Sequence, residues 1–551
     1  MLQTIQPLNN WARQNEKWLA RVLIFCAFTL FGLGGIFGLE GGVPTVGAER
    51  VLAGEIPYRD FWTMYAPGHF YLLALLFAIF GKHLLIELIA ASLITAIACG
   101  LVYRVIVNLI GARVPAFLGA LIFFGAMYNT LYFKTLNSYV PAIFLILVTL
   151  AALIHFYKTG QLAWLIGAGL ANGGLVVFKH DVGAYTALAI ALGLTLFHLL
   201  QAAPFRDRVR LFIKHSVAYA LASLLIALPW FAGFALVAGP AMAQDLVIFP
   251  LTDFRYARPE AYPSILPIDL LAQSWVMTIF NLTVYFNFAI PSVLFLLGLG
   301  AIVWALKKRD ALFAALGATF AVGFLFHYSA AHVQINTHIV TMSLYSIGLG
   351  SLLYNLLTRA ARAQSLAFVR ILGLALMLGW LLTLIGKPLY LARENLRGAN
   401  VELKIDKVAG FRVSADDASA LTELTTFIKN VVPPNQKIFV GLHRHDVVII
   451  SDVMLYFILD RPVATRYQEL HPAITDTARA QQEMIRDLER ERVAYLVLKN
   501  IFADDVLESV KRDFLKHLPN VGATDLDQYI RANYTLTRQF GAYAVWQRTS
   551  K

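Results

Sequence analysis

Residues 161–200 read QLAWLIGAGLANGGLVVFKHDVGAYTALAIALGLTLFHLL. Two apolar runs meet at Lys179-His180-Asp181, with nothing else between them. Each run approaches the roughly 20 residues that a helix needs to cross about 30 Å of hydrocarbon. The stretch reads as a tight hairpin of two membrane helices. Its charged tip requires water, a partner or a ligand.

The pattern recurs along the chain. Similar runs lie near 20–38, 84–109, 114–132, 138–157, 161–178, 182–201, 211–238, 276–305, 311–328, 337–357 and 371–392, which predicts about eleven spans. Composition agrees, with 58% hydrophobic and 15% charged residues over 551 positions, where a soluble protein carries about 25% charged. Cys26 and Cys99 sit inside apolar runs, so neither a disulfide framework nor a metal cluster is implied.

The net charge of +12 does not point to nucleic acid. Most of the excess lies in alternate short loops: Arg104 with Arg113, Lys158, Arg206 to Lys214, Lys307 to Arg309, and Arg359 with Arg362. Basic residues beside spans mark the cytoplasmic side, so the N-terminus is expected inside and residues 39–83 and 239–275 outside. Phe70 to Phe80 is apolar too, but a helix of that length reaches only about 16 Å. Counting it as a span would export every basic cluster, so an interfacial or re-entrant helix is expected. Arg13, Lys17 and Arg21 precede the first run without a small-residue cleavage site, which predicts an uncleaved membrane helix.

Beyond about residue 393 the composition changes. Ser414 and Asp417 suit a helix start, with Leu421, Leu424 and Ile428 on one face through Asn430. Lys437 to Gly441, Pro462 to Arg466, Ala494 to Leu498 and Ala542 to Gln547 read as strands, with a helix at about 476–491. The expected architecture is a polytopic α-helical membrane part, 1–392, followed by a soluble C-terminal α/β domain, 393–551.

The outward loops carry the chemistry. Glu40 follows the first span, and Gly41-Gly42 would let a substrate approach its carboxylate. At a partly dehydrated interface a carboxylate accepts a proton from a hydroxyl more readily; the plain alternative is a surface acid. Tyr58, Arg59, Asp60, Trp62 and Tyr65 form either an interfacial aromatic belt or a sugar platform with a phosphate contact. Lys179, His180 and Asp181 either close their hairpin internally or meet a phosphate arriving from the bilayer. The loop at 239–275 holds Asp253, Arg255, Tyr256, Arg258, Glu260 and Tyr262 among five prolines, as a lid, a headgroup site or a solvated loop. His327, His332, Asn336 and His338 bracket another outward end without a zinc-ligand pattern.

Taken in order, these pieces resemble the class-C integral-membrane glycosyltransferases that use polyprenyl-phosphate sugars, such as protein O-mannosyltransferases and the aminoarabinose transferase of lipid A. The resemblance rests on an acid after span one, Leu52-Ala53-Gly54, and the stretch Pro57 to Trp62. It adds Tyr65, Pro67 and Gly68 leading into a juxtamembrane helix, and the turn Lys179 to Gly183. It implies that Glu40 is the catalytic base, although family members usually have Asp there. Read from the residues themselves, a displacement at the sugar would set Lys179, Arg59 and Arg255 on the donor phosphate. Tyr58, Asp60, Trp62, Tyr65, Asn137, His180, Asp181, Arg258 and His332 fall on substrate. Asn137 stands where members often carry a second Asp. No cofactor is implied, and a divalent cation stays open. The implied partners are a polyprenyl-phosphate sugar, the bilayer and an acceptor outside the cytoplasm, in a bacterial inner membrane with the C-terminal domain periplasmic. A transporter or flippase is the rival reading. It would place ionisable groups near the bilayer midplane in repeated halves, and no repeat is visible.

Overall fold

The computed structural model describes residues 10–549 except 40, 130–133, 255–274, 332–334, 361–362, 399, 514–517 and 519. The chain is a polytopic helical membrane protein with a C-terminal domain. Among the described residues, nine helices are long and apolar enough to cross a membrane, beginning with Glu16–Gly35 and Leu84–Ile110 and ending with Ile371–Tyr390. Arg113–Tyr128 and Leu162–Phe178 occupy two further expected spans but are shorter, at 16 and 17 residues. In hydrocarbon every backbone group must be satisfied within the segment, so apolar runs of this length become helices. Small residues set their packing: Gly169 and Gly173 lie against the backbone carbonyls of Tyr219 and Ser223, which brings helices Leu162–Phe178 and Phe205–Ala238 side by side.

Gly68–Phe80 has 13 residues, about 20 Å of helix, too short to span. It buries Phe70, Leu73 and Phe77 while Leu75, Ile79 and Phe80 stay exposed, the two faces of an interfacial helix.

Strands β1 (Asn400–Glu402) and β2 (Arg412–Ser414) pair antiparallel. The backbone just past the first span joins them: Gly38 donates to Arg412 O at 2.9 Å, and Arg412 N donates to Ile36 O at 2.8 Å. The main sheet has order β3-β4-β6-β5, from β3 (Phe439–Leu442), β4 (Tyr495–Lys499), β5 (Tyr534–Phe540) and β6 (Tyr543–Arg548). β3 and β4 run parallel, and the other pairs are antiparallel. Helix Ala415–Val431 begins as expected, with the Ser414 side chain accepting from Asp417 N and Leu421, Leu424 and Ile428 buried.

One expected strand is corrected. Pro462 to Arg466 makes a single bridge, Ile438 with Val463. Pro462 has no N–H for a ladder, and beyond it Thr465 and Arg466 turn to bond the first loop. Edge strand β5 escaped the sequence reading because its five central residues are exposed and show no alternation.

Candidate functional site

The first loop, residues 38–67, is clamped between the helical bundle and the C-terminal domain. Arg50 donates to Thr465 O at 3.2 Å and to Asp60 O at 3.0 Å. Trp62 N donates to Arg466 O at 3.0 Å. Arg466 Nη2 donates to Tyr58 O at 2.9 Å and to Asp245 Oδ2 at 2.7 Å. Phe77 stacks on Phe457 with centroids 5.9 Å apart.

This clamp corrects the aromatic platform. Tyr58 is fully buried, its hydroxyl donating to Tyr65 O and its ring edge-on to Phe234. Trp62 is packed by Phe249, Tyr467 and His471. Neither ring offers a free face to a sugar, because surfaces remote in sequence cover both. Burying each is worth about 2–3 kcal/mol, which suits anchors. Arg59 is 47% exposed and forks onto the Asp60 carboxylate at 2.7–2.9 Å, while Asp60 also accepts from Ile56 N. Tyr65 packs edge-on to His69.

Gly42 also takes a different part from the one expected. It has φ +92°, and a Cβ there would meet the backbone nitrogen of Met454. The space beside Gly42 belongs to the C-terminal domain, not to a substrate. Gly42→Ala adds both left-handed strain and a clash with unyielding backbone, together about 2 kcal/mol or more. The expected result is a domain released from the loop, read as faster proteolysis within 393–551 and a lower Tm.

Glu40, Arg255, Arg258 and His332 lie outside the described residues. The neighbours of residue 40 are placed. Leu39 lines a cleft of about 470 Å³ shared with the C-terminal domain, and Gly41 packs against the Thr135 side chain. Thr135 opens a short polar segment. The Asn137 side-chain oxygen accepts from Tyr139 N at 2.8 Å, so this buried amide fixes the start of helix Tyr139–Thr159 and does not face open space.

The Tyr139 ring lies beneath the next site residue, with Lys179 Nζ 4.9 Å from its centroid. Lys179 alone separates helices Leu162–Phe178 and His180–Leu200, in extended conformation. Its ammonium lies 2.9 Å from the Asp181 carboxylate, and the side chains are 14% and 28% exposed. His180 faces the backbone of Leu246. Gly68, opening the interfacial helix, rests on Val177 O and the Phe178 ring, so the first loop ends against this tip. Behind Tyr139, its hydroxyl lies 3.4 Å from His338 Nε2, and the Nδ1 atoms of His338 and His327 are 3.0 Å apart. Among the described residues, no group of three His, Cys, Asp or Glu is arranged to hold a metal ion.

Ile56, Tyr71, Pro229, Trp230 and Phe234 line an open apolar groove of about 390 Å³. The register of Gly169 and Gly173 on helix Phe205–Ala238 carries Pro229 and Trp230 to the level of Lys179.

Two buried carboxylates that tie this region together are not singled out by the sequence. Glu87, buried in helix Leu84–Ile110, accepts from Thr45 Oγ1 at 2.6 Å and Leu136 N at 2.8 Å. It joins the first loop to the 135–139 segment, and the signal for it was a lone carboxylate in an apolar run. Asp245, in the short π-helix Gln244–Ile248, meets Arg466. Burial raises its pKa to about 6, outweighing the lowering effect of Arg466. The ordinary unfolded value is about 3.9, so the folded chain binds this proton more tightly. Asp245 then contributes stability at low pH that is lost as pH rises from about 4 to about 6. Asp245→Asn should remove that slope, shifting the stability gap to the native chain by about 2–3 kcal/mol across the window. Thermal unfolding at pH 4 and pH 7 measures it; an opposite slope would refute the burial argument.

No family model and no curated protein matches the chain. The structural comparison does match. ArnT from Cupriavidus metallidurans, crystallised bound to undecaprenyl phosphate, aligns with TM-score 0.52 at 13% identity, covering 96% of this chain and 98% of that one. Its apo crystal structure aligns with TM-score 0.52 at 12% identity over 97% and 98%. At such identity the likeness is one of fold: this chain is a polytopic helical membrane protein that shares its fold with ArnT.

Proposed function

We propose that the chain is an inverting glycosyltransferase that moves a sugar from a polyprenyl-phosphate carrier to an acceptor hydroxyl outside the cytoplasm. The observation that carries this reading is the Lys179 tip, a cation held at the end of the bundle beneath the first loop and at the level of an apolar groove. An isoprenoid phosphate has those two parts, an anion at the interface and an apolar tail. The ArnT fold likeness, with that enzyme crystallised on undecaprenyl phosphate, supports the same donor class. By the basic-loop rule the N-terminus is cytoplasmic and the C-terminal domain periplasmic, in a bacterial inner membrane.

Glu40 takes the proton from the acceptor hydroxyl, whose oxygen attacks the anomeric carbon opposite the phosphate. The C–O bond to phosphate breaks, and the polyprenyl phosphate leaves with its electron pair. Lys179, with Arg59 and Arg255, stabilises the charge that grows there. A single displacement inverts the anomeric centre without a covalent enzyme intermediate. Asp181 holds the Lys179 ammonium between turnovers, and a phosphate oxygen would compete for it. Tyr139 and the histidines behind it support the tip from below, and Asn137 sets where Tyr139 stands.

The test is a transfer assay in proteoliposomes with a small panel of polyprenyl-phosphate sugars and mixed acceptors. Transfer with inverted product supports the reading. Retained configuration, or carrier movement across the bilayer without transfer, overturns it.

A further inference from the structure

The cleft beside Leu39 is built from both halves of the chain. Gly34 and Tyr128, at the ends of membrane helices, form one side; Arg412, Asp452, Lys499 and Tyr543 of the C-terminal domain form the other, and Lys134 stands between. Its charged groups are held in place. Lys134 donates to Gly34 O at 3.0 Å and lies over the Tyr128 ring. Arg412 donates to Asn400 O at 3.0 Å. Lys499 pairs with Asp452 and sits 4.9 Å from the Tyr543 centroid. Three cations face two carboxylates, Asp417 and Asp452, so the interior carries net positive charge as well as polar and aromatic surface.

The order of the chain gives the cleft a place in the reaction. Leu39 lines it, Gly41 packs on Thr135, and four residues further Tyr139 supports the Lys179 tip. Leu39, the sequence neighbour of the proposed base, thus lines the cleft, while the path from Gly41 leads to the cationic tip. A base has to meet the acceptor on the side opposite the leaving phosphate. We propose that the cleft is the acceptor site, that it takes a hydroxylated headgroup bearing phosphate or carboxylate, and that the C-terminal domain supplies half of it. Arg412 and Lys499 bind the anion, while Tyr128 and Tyr543 flank the hydroxylated part. This inference rests on the transferase reading and assigns the C-terminal domain a direct role in that site.

The experiment uses the full-length chain carrying Asn400→Cys in nanodiscs, followed by a membrane-impermeant maleimide that does not reach Cys26 or Cys99 within the bilayer. Phosphatidylinositol vesicles or soluble glucose 6-phosphate are added as probes. Slowing of labelling by about fivefold or more with either supports the site, and the effective probe tells whether the acceptor is lipid-borne or soluble. Adding Arg412→Gln and Lys499→Gln should abolish the protection. Equal slowing by inorganic phosphate would reveal a plain anion site and overturn the proposal. Equal slowing by neutral galactolipid vesicles, or none with any probe, also overturns it. The readout needs neither donor nor turnover, so it fails separately from the transfer reaction. Protection without transfer removes the transferase, and transfer without protection removes the cleft.

Discussion

Glu40→Gln should lower the transfer rate by about 10²–10⁴-fold and leave binding of the lipid donor close to native. General-base catalysis contributes about that much, or roughly 3–5 kcal/mol of barrier. The substitution keeps the size of the side chain and removes only its ability to take a proton. The effect should therefore fall on kcat, with the donor KM changed by less than about threefold, because a group that acts on the acceptor proton gives no affinity for the carrier. The segment around it is held from three sides: strand pairing of Ile36 and Gly38 with Arg412, packing of Gly41 on Thr135, and docking of Gly42 on Met454. A collapse of the fold is accordingly not expected, and an unchanged Tm checks this. Native turnover in Glu40→Gln would remove residue 40 from the chemistry.

Lys179→Met should raise the donor KM by about 10–100-fold, the worth of a charge-assisted contact of about 1.5–3 kcal/mol. Taken alone the variant is ambiguous, because it strands the partly buried Asp181 carboxylate. Breaking such a pair by removing one member costs up to about 3–5 kcal/mol of stability. Lys179→Met with Asp181→Asn separates the two effects. The double substitution removes both charges of the pair, so the Tm should return towards native while the donor KM stays high. If donor affinity returned together with stability, Lys179 would be a hairpin closure only, and the phosphate would have to be assigned elsewhere.

Much of the fold was legible because membrane helices are specified locally, by length and apolarity. The break at Lys179, the short reach of Gly68–Phe80 and the Ser414 cap all follow from residues adjacent in sequence. What escaped depends on partners far apart in the chain. Tyr58 and Trp62 look like surface aromatics until Phe234, Phe249 and Tyr467 cover them. The backbone after the first span gains its strand partner from Arg412, and no local pattern announces that pairing. Asp245 and Arg466 are 221 positions apart, and each alone reads as an ordinary loop charge. The same holds for the cleft: Lys134 and Lys499 belong to runs that share no motif.

Both halves of the site depend on one placement, a carrier phosphate reaching Lys179 on the side where the first loop meets the C-terminal domain. Photo-crosslinking tests it directly, with a polyprenyl phosphate bearing a diazirine one isoprene unit from the phosphate and the full-length chain in a bilayer. The account predicts adducts on peptides spanning residues 56–71 or 177–185, competed away by unlabelled carrier and reduced in the Lys179→Met, Asp181→Asn variant. Competed adducts confined to the opposite ends of the helices, around Lys158 or Lys307 to Arg309, would contradict it.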